Sequence, residues 1–183
     1  MSAKYSFNLA TEDRCRADLP RKVIIAQHDG ETVAHVTLRL LALLIFWRPR
    51  LQLETNLHQA DIPFVPDLAQ FDYQLRLALW VECGECSVAK LDKLAVKCHD
   101  AEIWVVRRSL AEVEELRLAM KKAGLRENRY HLLALDPEMF EEVRGLVEQR
   151  NDVTLFACEF DPPKLQFEFN GLWFDAEFSL LRF

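Results

Sequence analysis

Residues 75–106 read LRLALWVECGECSVAKLDKLAVKCHDAEIWVV, and the pattern of this stretch changes twice along its length. Leu75, Leu77, Leu79 and Val81 alternate with Arg76, Ala78, Trp80 and Glu82, which is the two-residue repeat of a β-strand with distinct faces. Ser87 then offers an N-cap for a helix running to about His99, and the chain turns apolar and β-compatible again from Glu102 to Val106. Strand, helix and strand in this order predict a βαβ unit with Glu82 at the end of its first strand.

The alternation continues downstream. Ser109 with Glu112 three residues on makes a capping box, and Gly124 after Lys121 and Lys122 supplies a helix stop. Tyr130 to Leu135 reads as a strand, and Asp136-Pro137 as N-cap and first residue of a helix ending near Gln149. Thr154–Phe160 and Leu165–Phe169 flank Asp161-Pro162-Pro163, and Asn170-Gly171 leads into Leu172–Leu180, a strong hairpin signal. Upstream, Tyr5–Leu9 and Val23–Ala26 predict a strand pair. From Glu31 the spacing of Val33, Val36, Leu40, Leu41 and Leu44 predicts a helix that Pro49 ends, followed by a short strand at Leu51–Leu57 and a turn at Asp61-Ile62-Pro63. The expected fold is α/β, and α+β in detail: a three-layer core with a mixed sheet flanked by helices, an N-terminal strand pair and C-terminal β-hairpins.

The bulk properties bound the function. The chain has 183 residues, half of them hydrophobic, which suits one well-buried core and predicts a single domain over 1–183. Its longest apolar run, Leu40–Trp47, is far shorter than the roughly 18 to 20 residues of a membrane span, and the N-terminus lacks the apolar core of a secretory signal. A cytoplasmic location without a membrane partner is expected. Five cysteines are an odd number, which in a reducing compartment reads as free thiols rather than a disulfide framework. A formal charge of −6 argues against a large non-specific nucleic-acid surface and leaves room for a local basic site.

Several groups of residues carry chemistry. Asp67, after a proline at a strand entry, and Glu82, at a strand end, form a carboxylate pair of the kind that holds Mg²⁺, a hard cation that prefers oxygen ligands. Acidic residues at strand ends are more often solvated. Lys90, Lys93 and Lys97 share a stripe of the following helix, and a lysine beside a phosphate stabilises charge that develops in hydrolysis; the competing reading is a solvated face. Glu31, His35 and Arg39, four residues apart, stack along one stripe and either line a pocket, with Arg39 contacting phosphate, or form the exposed strip of an apolar helix. Cys83 and Cys86 with Cys98 and His99 offer thiolates and further ligands to zinc or to redox chemistry, although the spacing is incomplete for a zinc signature.

Read together, His28-Asp29-Gly30-Glu31-Thr32, Leu38-Arg39-Leu40-Leu41-Ala42, Pro66-Asp67-Leu68 and Leu79-Trp80-Val81-Glu82-Cys83-Gly84 with its Lys-bearing helix give a chain that resembles the bacterial YaeQ family. That family's fold is a variant of the PD-(D/E)XK, or restriction-endonuclease-like, nuclease superfamily. The resemblance implies that Asp67 is the acidic residue of the PD element, Glu82 the second acidic residue and Lys90 or Lys93 a relocated lysine. Nuclease relatives usually place that lysine two residues after the second carboxylate, where this chain has Gly84, and family members tend to carry an acidic residue where it has Ala78.

Two readings follow. In one, the protein is a Mg²⁺-dependent nuclease or phosphodiesterase with Asp67 and Glu82 on the metal, Lys90 or Lys93 on the phosphate, and Glu31, His35 and Arg39 beside the substrate. In the other, it is a non-catalytic module that binds nucleic acid or protein on a nuclease fold without its activity. A zinc or thiol protein centred on Cys83, Cys86 and Cys98 is the third and weaker reading.

Overall fold

The computed structural model describes residues 3–55, 57 and 62–183. In chain order the elements are β1 (Ala3–Thr11), β2 (Lys22–Gln27), α1 (Val33–Phe46), β3 (Leu51–Leu53), β4 (Leu68–Phe71), β5 (Leu77–Cys83), α2 (Val88–Lys97) and β6 (Glu102–Arg107). They continue with α3 (Leu110–Lys122), β7 (Tyr130–Ala134), α4 (Pro137–Leu146), β8 (Arg150–Phe160), β9 (Pro163–Phe169), β10 (Leu172–Glu177) and β11 (Ser179–Arg182). No helix among the described residues is long and apolar enough to cross a membrane.

The fold is mixed α/β with two mixed sheets and four helices, where the sequence suggested one sheet. The described chain divides into two compact units, one formed by the chain up to Pro49 with Leu135–Phe178, the other by Arg50–Ala134 with Ser179–Phe183.

The first unit carries the five-stranded sheet β10-β9-β8-β1-β2. The expected strand pair is β1 against β2, antiparallel, and the expected hairpins are β8–β9 and β9–β10. One long-range parallel pairing, β1 with β8, joins the pair to the hairpins in a single sheet. Asn170 and Gly171 both adopt positive φ, 48° and 83°, as a tight hairpin turn requires. Every residue of α1 from Val36 to Phe46 is buried, the pattern of a helix apolar on all sides. It packs on β2, β8 and α4.

The second unit carries the six-stranded sheet β11-β7-β6-β5-β4-β3. Strands β5, β6 and β7 are parallel and joined by α2 and α3, so the βαβ unit read from residues 75–106 is present and repeated. Its first strand starts at Leu77 rather than Leu75, because Leu75 takes φ 60° in a turn closed by Asp72 and is exposed. The strand expected over Leu51–Leu57 forms at Leu51–Leu53; Asn56 of that stretch and Asp61 of the following turn lie outside the described residues. The stretch Leu172–Leu180 is not one strand, since β10 belongs to the first sheet and β11 pairs with β7 in the second.

Helix caps follow the sequence. Ser87 Oγ accepts from Lys90 N at 3.1 Å, Ser109 Oγ from Glu112 N at 3.3 Å, and Asp136 Oδ1 from Met139 N at 2.7 Å. On α2, Leu91, Leu94, Ala95 and Cys98 are buried against the sheet, and this spacing turns Lys93 and Lys97 to solvent. Trp80 is fully buried beneath α2 and α3, which at about 25 cal/mol per Å² and 150–250 Å² of ring surface contributes roughly 4–6 kcal/mol as an upper bound. The face that holds Trp80 also ends in Glu82.

Candidate functional site

Register places the carboxylates. Leu68 of β4 lies opposite Val81 of β5, and Ala69 opposite Trp80. One further step of this register sets Asp67 beside Glu82. Ala69, Trp80, Ile103, Val105 and Leu132 form the apolar face that packs against α2 and α3, and alternation puts Glu82 on that same face at its carboxyl-end margin. Carboxyl ends of parallel strands are where open α/β sheets place ligands.

Glu82 is only 5% exposed. Its Oε1 accepts the indole N–H of Trp80 at 2.6 Å, and Lys90 Nζ stands 2.7 Å from each carboxylate oxygen. Burial raises the Glu82 carboxyl above its ordinary value; Lys90 opposes this and the neighbouring Asp67 charge adds to it. Lys90 Nζ also lies 5.5 Å over the Phe64 ring, a cation–π contact that helps hold the ammonium in place. Asp67 Oδ2 accepts from Cys83 N at 2.7 Å, which fixes its carboxylate at the end of β5. Asp67, Glu82 and Lys90 are therefore brought together, whereas Lys93 points to solvent.

The turn after β5 explains the displaced lysine. Gly84 has φ 81°, in the left-handed region that side-chain-bearing residues avoid, and its N–H bonds Val106 O at 2.9 Å. This turn redirects the chain into α2, whose first turns then carry Lys90 back to Glu82. Position 84 thus disfavours lysine by its backbone conformation, and the helix supplies the ammonium.

Cys86 sits in the same cluster. Burial pushes its thiol up to about 12, with Glu82 and Asp67 raising it and Arg107 and Lys90 lowering it. A thiol so placed is nearly all protonated near neutrality and is a poor nucleophile. Cys83 and Cys98 are buried free thiols, and Cys98 ends α2, about 15 Å along the helix from its start. Among the described residues no three His, Cys, Asp or Glu side chains stand close enough to hold a metal ion.

Glu31, His35 and Arg39 belong to the first unit. Glu31 precedes the N-cap Thr32 instead of lying on α1, and its carboxylate accepts from His28 N at 2.9 Å and from the Arg39 guanidinium. Arg39 is wholly buried, and His35 Nε2 stands 3.9 Å from Glu31. A phosphate contact by Arg39 would require this ion pair to open.

A family model described as YaeQ protein matches residues 2–159. The chain belongs to the YaeQ family. Among the solved structures that share its fold are the YaeQ protein from Xanthomonas axonopodis pv. citri, 20% identical with TM-score 0.71 over 98% of each chain, and the YaeQ protein from Pseudomonas syringae, 18% identical with TM-score 0.70 over 98% of this chain and 96% of that one. No curated protein matches the chain. At these identities the likeness carries the fold across β9, β10 and β11, which lie beyond the family model's match, and carries no activity.

Two residues of the YaeQ cluster were not picked out from the sequence. Trp80 lies two residues before Glu82 on the same strand face, so its bond to the carboxylate was within reach of the alternation that placed Glu82. Arg107 closes the apolar run of β6, but its place beside Gly84 depends on a register that no local pattern reveals.

Proposed function

We propose that the Asp67, Glu82 and Lys90 cluster is the centre of a Mg²⁺-dependent phosphodiesterase acting on nucleic acid, built on a restriction-endonuclease-like core of the PD-(D/E)XK kind. The observation that supports this reading is the convergence of two carboxylates from paired strands and one lysine from the next helix at the carboxyl end of a mixed sheet. The donor set fits the ion: two carboxylates offer hard oxygens, and water and substrate phosphate complete such a shell. Bound there, Mg²⁺ would supply an activated water and Lewis-acid polarisation of the phosphate. Asp67, fixed by Cys83 N, and Glu82, fixed by Trp80, present the oxygens. Lys90 holds Glu82 in the resting protein and is positioned to stabilise charge on a non-bridging phosphate oxygen. Loss of a positioned charge of this kind typically costs roughly 3–4 kcal/mol, so a relocated lysine that replaces it incompletely gives slow turnover.

A second reading, a binding module that has kept the fold without the activity, draws on a specific observation. Both Glu82 oxygens are already engaged by Lys90, and Ala78 offers no further ligand on that face. The two readings separate in a cleavage assay on single- and double-stranded DNA and RNA with Mg²⁺ or Mn²⁺. Wild type is compared with Asp67→Ala, Glu82→Ala and Lys90→Ala prepared identically. Metal-dependent cleavage lost in the variants supports the enzyme; cleavage unchanged in Glu82→Ala marks a contaminant and defeats it. Binding of the same oligonucleotides without cleavage favours the module.

A further inference from the structure

Arg107 is an anomaly in the second unit. It is only 8% exposed, yet its Nε is buried with no hydrogen-bond partner, and among the described residues no carboxylate pairs with its guanidinium. A buried charge without a partner is costly, and proteins retain one where a ligand completes it. The register says where it points. Val105 lies beside Glu82 and Val106 beside Cys83, and Gly84 N bonds Val106 O, so Arg107 stands next to Gly84 on the Glu82 face. Gly84 itself carries no side chain. Arg107 is close enough to lower the Cys86 thiol, as are Lys90 and, in the opposite sense, Glu82 and Asp67.

The surroundings favour an anion. Helices α2 and α3, of 10 and 13 residues, both start from this edge of the sheet, directing the positive ends of their dipoles toward it. A guanidinium presents paired N–H donors that match two oxygens of a phosphate group.

We propose that Arg107 is the phosphate-binding residue of this cluster: its guanidinium takes two non-bridging oxygens of a phosphate group lodged over Gly84, with Lys90 as the second cation at its side. The inference deepens the phosphodiesterase reading and rests on it for the claim that this phosphate belongs to a nucleic acid. The seat itself requires no metal. It assigns the cation missing at position 84 to two side chains, Lys90 from the following helix and Arg107 from the neighbouring strand.

The test uses the full chain without metal, in EDTA at low ionic strength, with inorganic phosphate titrated against chloride of equal ionic strength. Binding is followed by calorimetry and by the phosphate-induced rise in Tm. Wild type, Arg107→Gln, Arg107→Lys and Glu82→Gln are compared. Loss of a charge-assisted, two-point contact predicts phosphate binding weaker by about tenfold to a hundredfold in Arg107→Gln, with Arg107→Lys intermediate and Glu82→Gln binding at least as well as wild type. Without phosphate, Arg107→Gln should melt no lower than wild type, because it removes an uncompensated buried charge. A wild type that does not bind phosphate, an Arg107→Gln that binds as wild type does, or an Arg107→Gln that melts lower without phosphate overturns the inference. The outcomes separate from those of the cleavage assay. Phosphate held through Arg107 with no metal-dependent cleavage leaves the seat standing and removes the nuclease; cleavage that depends on Glu82 but is unaffected by Arg107→Gln does the reverse.

Discussion

Replacing Lys90 by Met keeps the length of the side chain and removes the charge that faces Glu82. The carboxylate then keeps Trp80 as its remaining side-chain donor, in a site where it is 5% exposed. Breaking one side of a fully buried ion pair costs about 3–5 kcal/mol, and Lys90 is 22% exposed, so solvent screening reduces the expected loss to about 2 kcal/mol. The sign of the pH dependence follows from the direction of the shift. Burial raises the folded Glu82 carboxyl above 4.5, the value it takes in an unfolded chain, so the folded protein holds this proton where the unfolded chain has lost it. Stability therefore falls as pH rises from 4.5 through the folded value. Removing Lys90, the main opposing influence, moves the folded value higher and extends the falling range upward. Lys90→Met should then lose less stability at pH 5 than at pH 8, the loss growing with pH toward about 2 kcal/mol, or roughly 4–8 °C in Tm for a chain of this length. Urea and thermal unfolding across that range measure the loss. The Trp80 indole N–H resonance, one of four in the chain and assigned with Trp80→Phe, reads the carboxyl directly and should titrate at higher pH in the variant. A loss equal at both pH values, or an indole midpoint that stays in place, refutes the reasoning.

Gly84→Ala should cost about 1–2 kcal/mol in urea unfolding because of the φ of 81°, and Gly84→Lys should bring no gain in any cleavage activity although it places lysine at the nuclease position. In a thiol-alkylation time course at pH 8 read by mass spectrometry, exposed Cys15 should label first. Cys86, with its thiol pushed up to about 12, should label about 10³-fold more slowly than an ordinary exposed cysteine, and equal rates would contradict the burial described for it. His131 stacks on Trp104 at 4.6 Å, and burial holds its imidazole below 6.5, so stability should fall as pH drops below 6.5 toward the folded value; His131→Gln should flatten that slope in Tm measurements between pH 5 and 7.5.

What the sequence showed and what it hid divide along the range of the interactions. Caps at Ser87, Ser109 and Asp136, the turn at Asn170-Gly171 and the strand containing Glu82 are written in residues within four positions of one another. Even there detail escaped, since Glu112 returns its carboxylate to Arg108 N rather than to Ser109 N. The Glu31, His35 and Arg39 stripe misled because four-residue spacing implies a shared helix face only if all three residues are helical. Glu31 lies before the N-cap, and from there it reaches Arg39, eight positions on, as a buried partner.

Sheet membership was hidden for a different reason. The pairing of β1 with β8 joins Ser6 to Arg150, and parallel partners so far apart leave no local period to read; the same holds for β11, which continues the alternation of β10 yet pairs in the other sheet. The site shows the consequence. Asp67 and Glu82 were legible as acids at strand ends, and Lys90 as one of three lysines on a helix; choosing among those lysines needed the phase of α2 against the sheet, which burial of Leu91, Leu94 and Ala95 sets. Arg107 needed the register of β5 with β6 as well. From sequence it is the polar end of an apolar strand. In the fold it is the one residue of the cluster whose burial lacks a partner among the described residues, which is why its variants test the site on terms independent of any metal.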